Sequence, residues 1–198
     1  MVMDVNFTIP KMVRESAEKY AEMPAQYARS KKGEFTPILY RDMYQYSLDF
    51  GAGLLQLGIK REDKIGVISD NRPEWVYASM GIMSIGGIDV PRGCDATLVD
   101  LEKILAITEC ELVVAENNSQ VNKVVSLKEK LPSVKRIICF ESEVKEDVLK
   151  SAKDNGIEVI FYENFIKEAQ KWRIENKGAV EAELEKRKSE DLATIIFT

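Results

Sequence analysis

Short, almost wholly apolar runs alternate with longer stretches of helical periodicity along most of this chain, and that rhythm restricts its fold more than any other feature. The runs lie at 64–69, 88–90, 112–115, 134–140, 157–162 and 193–197. Between them, helical spacing is predicted over 73–85, from Thr97 or Asp100 to 108, and over 119–131, 148–154, 164–172 and 181–188. Strands apolar on both faces belong inside a sheet, and parallel neighbours need a crossover helix between them. The expected class is therefore α/β, with a mainly parallel sheet and helices on both faces, doubly wound over 61–198.

The first 60 residues read as a lead-in of helix, hairpin and helix. Pro10 opens a helix over 10–20, with Val13, Ala17, Tyr20 and Ala21 on one face and Pro24 as its stop. Strands at 25–29 and 35–40 flank Lys31, Lys32 and Gly33, a predicted hairpin turn. Tyr44, Leu48, Gly51 and Leu55 recur at helical spacing over 41–57, with Gly58 as the left-handed cap. Further on, Asn71 is expected to cap the helix that starts at Pro73, and Gly86 and Gly87 to end it. The polar stretch 163–191 reads as a surface excursion.

Composition narrows the chemistry. With 198 residues, 45% hydrophobic and 31% charged, the chain can bury a sizeable core. Its formal charge of -5, with both signs interleaved, argues against nucleic acid as a partner. Histidine is absent, which excludes Ser-His-Asp and Cys-His nucleophile systems and histidine metal sites from this stretch of sequence. General acid–base work would fall to carboxylates, Lys or Tyr, and chemistry based on positioning and charge stabilisation, such as nucleotidyl transfer, stays open. Cys94, Cys110 and Cys139 are far apart and form no CxxC pair, so reduced thiols are expected. No basic-then-apolar leader opens the sequence, and the apolar stretch 78–88 is too short to span a bilayer. A cytoplasmic protein with at most peripheral membrane contact is expected.

Four stretches, in order, carry a family resemblance. Tyr40 to Ile59, followed by KREDKIGV at 60–67, resembles the T-Y-x-E-L … L-x-x-L-G-V-x-x-G-D-x-V-A-I opening of adenylate-forming enzymes. DNRPEW at 70–75 is similar to the strand-to-helix corner of the long-chain acyl-CoA synthetase branch. GGIDVPRG at 86–93, running through CDAT at 94–97 to ILAITECELVVAE at 104–116, resembles that branch's G-A-x-x-V-P-x … E-L-x-Y-I-L-x-H-S-E segment. EDLATIIFT at 190–198 matches the strand that leads into the family's Ser/Gly/Thr phosphate loop. Glu62 and Asp63 replace the usual Gly-Asp, and Ile107, Thr108 and Glu109 replace His-Ser-Glu. The order of the segments makes the resemblance specific.

The resemblance implies that residues 1–198 are a partial N-terminal, AMP-binding domain cut at the phosphate loop of a long-chain fatty acid–CoA ligase. It implies ATP, Mg2+ and coenzyme A as cofactors of the intact protein, a fatty acid as substrate, a possible homodimer, and a fragment inactive by itself. A non-catalytic synthetase half serving as an interaction module is the alternative. Thr198 alone carries over as a cofactor-binding residue, matching the loop's first Thr; its simpler reading is a frayed end. No catalytic or metal-binding residue is assigned. Asn71, Arg72, Glu74 and Trp75 suggest a polar site with an aromatic platform, or more simply a capped and braced corner over a core Trp75. Core packing is expected of Tyr40, Tyr44 and Tyr46, and a loop ion pair of Asp89, Arg92 and Asp95. Cys94 has only Arg92 to favour its thiolate.

Overall fold

A computed structural model describes residues 7–29 and 32–197. Helix α1 (Ile9–Lys19), with Pro10 in its first turn, precedes the antiparallel pair β1 (Pro24–Arg29) and β2 (Phe35–Leu39). Pro24 opens β1 rather than closing the helix, and the predicted hairpin turn falls partly outside the described residues. Helix α2 (Tyr40–Gln56) then leads into β3 (Lys64–Ile68), α3 (Pro73–Ser84), β4 (Ile88–Arg92), α4 (Leu98–Thr108) and β5 (Leu112–Ala115). The chain continues through α5 (Asn118–Ser126), β6 (Arg136–Cys139), α6 (Glu146–Asp154), β7 (Glu158–Phe161), α7 (Tyr162–Glu175) and α8 (Ala179–Glu185).

Five strands make one parallel sheet in the order β4-β3-β5-β6-β7. The first of them thus lies between the second and the third, so the direction of winding reverses beside β3, and helices cover both faces. Against one face pack Leu101, Leu105, Val121, Val125, Val148 and Ala152, from α4, α5 and α6. Leu48, Phe50, Leu54, Ile82, Phe165 and Val180, from α2, α3, α7 and α8, cover the other. The contact between α2 and α3 is close enough to need glycine. A Cβ on Gly81 would stand 2.8 Å from the Ser47 carbonyl oxygen and 2.9 Å from the Gly51 nitrogen.

Three sequence expectations change. Arg72, not Asn71, occupies the N-cap of α3, and no side chain caps that helix. At α4, Thr97 and Asp100, the two alternative starts read from the sequence, make a reciprocal capping box. The polar stretch 163–191 is built into the fold, because Phe165, Ala169, Val180 and Leu184 turn an apolar face onto the core while charges cover the outside. Finally, 193–197 is not a full strand. It joins the sheet by a single parallel bridge, Thr194 to Asp89, with two bonds: Asp89 N–H donates to the Ala193 carbonyl at 3.0 Å, and Ile195 N–H to the Asp89 carbonyl at 2.9 Å. The next donor along that edge of β4 would be residue 91, which is Pro91 and has no N–H, so the ladder stops.

Candidate functional site

Parallel sheets bind ligands outside the carboxyl ends of their strands, where the winding reverses. A cleft of about 560 Å³ opens at that end of β3 and β4. Ser69, Asp70 and Asn71 line it as β3 leaves the sheet; Pro91, Arg92 and Gly93 do so as β4 ends. Trp75 of α3 forms a wall, and Ile196 and Phe197 of the terminal segment form another. Trp75 also packs against the α2/α3 core, so its ring position is set from behind.

Beside the cleft, the turns after β3, β4 and β5 are tied together by carboxylates. Glu116 accepts from Ser69 Oγ at 2.9 Å and from Asp70 N–H at 2.8 Å through one oxygen. Asp70 in turn accepts from Cys94 N–H at 3.0 Å. Lys123 of α5 donates to the carbonyls of Cys94 and Ala96, both at 2.9 Å. Donor atoms of Asp70, Cys94 and Glu116 lie within 4.8 Å of one another. The Asp70 and Glu116 oxygens are nevertheless occupied in bracing the loops, and burial, then the charge of Glu116, pushes the Cys94 thiol up to about 11. The cluster is a structural brace with a protonated thiol.

ATP is the group the resemblance implies, and the described cleft does not seat its phosphates. Arg92 is the cation among the lining residues, with a buried Nε that has no partner, whereas Asp70 and the adjoining Glu116 present negative charge. Ser69 Oγ is already committed to Asp70 and Glu116. No step at phosphorus is therefore assigned to a described residue.

Of the residues singled out in the sequence, the structure brings Asp70, Asn71, Trp75 and Arg92 to the cleft. Arg72 pairs with Glu74 at 2.8 Å and lies 5.3 Å from the Phe140 ring centroid, so these two brace the corner. The loop ion pair does not form: among the described residues no salt bridge joins Asp89, Arg92 and Asp95. Asp89 instead turns inward, 3% exposed, and accepts from Ser79 Oγ of α3, while its other oxygen has no partner. Burial pushes its carboxyl up to about 6, even against the Ser79 bond. Of the tyrosines expected in the core, Tyr44 packs against the α2 side, Tyr40 meets Tyr20, and Tyr46 is exposed beside Tyr77. All three cysteines are free thiols. Thr198 lies outside the described residues. Ser69 and Glu116 were not singled out from the sequence; the signal for them is their place at the end of one apolar strand run and just after another, whereas Ile196 and Phe197 belong to the quoted stretch 190–198. No helix among the described residues is long and apolar enough to cross a membrane.

This α/β arrangement is also found in solved adenylation domains. The adenylation domain of a carboxylate reductase from Mycobacterium chelonae matches with a TM-score of 0.71 at 17% identity, covering 85% of this chain and 30% of that one. The crystal structure of VinN matches at 0.66 and 18%, covering 98% and 42%. The chain belongs to the AMP-binding enzyme family, which it matches over residues 13–198. A chloroplastic long-chain-fatty-acid–[acyl-carrier-protein] ligase of Arabidopsis thaliana is 26% identical over 193 residues, 96% of this chain and 26% of the relative. The long-chain-fatty-acid–CoA ligase heimdall of Drosophila melanogaster is 26% identical over 134 residues, 66% of this chain and 20% of the relative. The chain thus spans about a quarter or less of these relatives.

Proposed function

We propose that this chain is the opening part of an enzyme that activates a long-chain fatty acid with ATP and transfers the acyl group to coenzyme A. In the first step a carboxylate oxygen attacks the α-phosphorus, the bond to pyrophosphate breaks, and acyl-adenylate forms. In the second the coenzyme A thiol attacks the acyl carbonyl and AMP leaves, its phosphate taking up the negative charge. The observation that carries this reading is where the terminal segment runs: bridged to β4 at Asp89, it carries Ile196 and Phe197 into the cleft at the sheet's carboxyl end. In the family resembled, that segment leads to the phosphate loop, so the loop's donors would meet the cleft where the winding reverses.

Fatty-acid ligases among the relatives favour an enzyme over a non-catalytic half. The relative aligned over 96% of this chain is named for transfer to acyl carrier protein, which supports that thiol as the second reading of the acceptor. The test uses a polypeptide that carries this chain together with a phosphate loop and the rest of the enzyme. Pyrophosphate release should require palmitate, and palmitoyl-CoA should accumulate. Turnover of acetate or an aryl acid but not palmitate would overturn the substrate; acylation of carrier protein but not coenzyme A would move the acceptor.

A further inference from the structure

At the end of the sheet opposite the cleft, one carboxylate holds the terminal segment in place. Asp191 Oδ2 accepts from Arg61 Nη2 at 2.8 Å and from Lys188 N–H at 3.1 Å, and Arg187 Nε lies 3.7 Å away. Arg187 is only 3% exposed; its Nη2 donates to the Leu192 carbonyl at 3.3 Å, and its own carbonyl accepts from Lys11 Nζ at 3.1 Å. Arg61 sits in a seat that exists because residue 86 is glycine. Gly86 has φ +83°, and a Cβ there would come within 2.7 Å of Arg61 Nη1. Three separate pieces therefore meet at Asp191: the loop before β3, the corner between α3 and β4, and the strap that follows α8.

The strap needs such an anchor. Among the described residues its backbone bonds to β4 are the two at Asp89, and Pro91 has no N–H to donate another. Its register nevertheless decides which side chains face the core. Ile195 and Phe197 pack against the α4/α5 side, whereas Ile196 is 68% exposed, and a slip by one residue would exchange these roles. Asp191 lies two residues before Ala193, so a carboxylate fixed between two guanidinium groups fixes the strap's starting point.

We infer that Asp191, bracketed by Arg61 and Arg187, is a positioning residue that sets the register in which 193–197 joins the sheet and enters the cleft. Its consequence for catalysis rests on the reaction proposed above; the docking of the strap does not.

Hydrogen exchange tests the docking directly in residues 1–198. In Asp191→Ala, the amides of Ile195 and Asp89, which make the two bridge bonds, should exchange at least ~10-fold faster, while Val67 and Val114 in the sheet keep their protection. Asp191→Asn, which keeps the shape and loses the charge, should fall between the two and covers the case in which the Ala variant does not fold. Unchanged protection at Ile195 and Asp89 in a folded variant would overturn the inference, as would equal loss throughout β3 and β5. In the longer polypeptide, Asp191→Ala should raise KM for MgATP ~10-fold with kcat changed less, the split expected when binding geometry rather than folded fraction is altered. A fall in kcat alone, tracking the folded fraction, would refute the positioning role. Absence of palmitate-dependent pyrophosphate release in the unsubstituted enzyme would overturn the proposed reaction and leave the exchange result standing.

Discussion

Replacing Asp89 by Asn should stabilise this protein at neutral pH, although the substitution removes a charge from beside the terminal strap. Asp89 is buried, accepts one bond from Ser79 Oγ, and has a second oxygen without a partner. Burial raises its carboxyl from 3.8 to about 6. A group whose folded pKa is raised contributes stability that is complete below its unfolded pKa and lost as pH rises through the folded one. A shift of roughly two units corresponds to about 3 kcal/mol of penalty on the folded state at pH 8, about half of that at pH 5, and little at pH 4. Asn keeps an acceptor for Ser79 and has no charge to bury, while its amide NH2, placed where Asp89 Oδ1 has no partner, offsets about 1–2 kcal/mol of that gain. Thermal melts followed by circular dichroism should therefore place Asp89→Asn roughly 2–6 °C above the unsubstituted chain at pH 8, the gain disappearing as pH falls to 4. A variant that melts lower at pH 8, or a difference that does not shrink between pH 7 and 4, would refute the reasoning.

Titration calorimetry of residues 1–198 with MgATP should show no saturable heat at millimolar nucleotide, because the described cleft supplies one cation and no run of free N–H donors; a micromolar site would place the phosphates elsewhere. Gly81→Ala should push α2 and α3 apart and cost about 1–3 kcal/mol in denaturant unfolding; an unchanged midpoint would show that the helix pair yields without cost. Alkylation of Cys94 by iodoacetamide should be slow at pH 7.5 and rise about tenfold per pH unit up to pH 10, since its thiol titrates near 11; a rate that levels off by pH 8 would mean that the thiol ionises lower.

The sheet was legible in the sequence because its strands are covered on both faces. Runs such as 112–115 and 137–140 are apolar throughout, which a half-exposed strand would not be, and helices between them leave only parallel pairing. The cleft was legible in part. Asp70, Asn71 and Trp75 belong to a recognisable corner, but Ser69 and Glu116 lie 47 positions apart and become neighbours only through the pairing of β3 with β5. Asp89 was misplaced because charge along a sequence suggests an exposed pair. Its alternation with Ile88 and Val90 instead faces it towards Ser79 on α3. The terminal strand was over-read for a related reason. The apolar run at 193–197 announces a strand, yet the extent of pairing is set by its partner, and the proline that ends the ladder is about a hundred residues away.

These features give the two edges of β4 different work. The inner edge of the strand pairs with β3 along its whole length and belongs to the rigid sheet. The outer edge has its pairing interrupted by Pro91, so the strap is held at separate points: Asp191 at the amino end, the Asp89 bridge in the middle, and the packing of Ile195 and Phe197 beyond it. A segment held in this way opens at lower free energy than the strands below it. Asp89 supplies both backbone bonds of the bridge and has a buried carboxyl oxygen without a partner, so a lifting of the strap that uncovered this oxygen would cost less with the carboxyl charged. The same burial that raises the Asp89 carboxyl thus ties strap docking to pH. The bridge amides should be better protected at pH 5 than at pH 8 after correction for intrinsic exchange, and Asp89→Asn should abolish that difference. Equal protection at the two pH values in the unsubstituted chain would separate the charge of Asp89 from the strap.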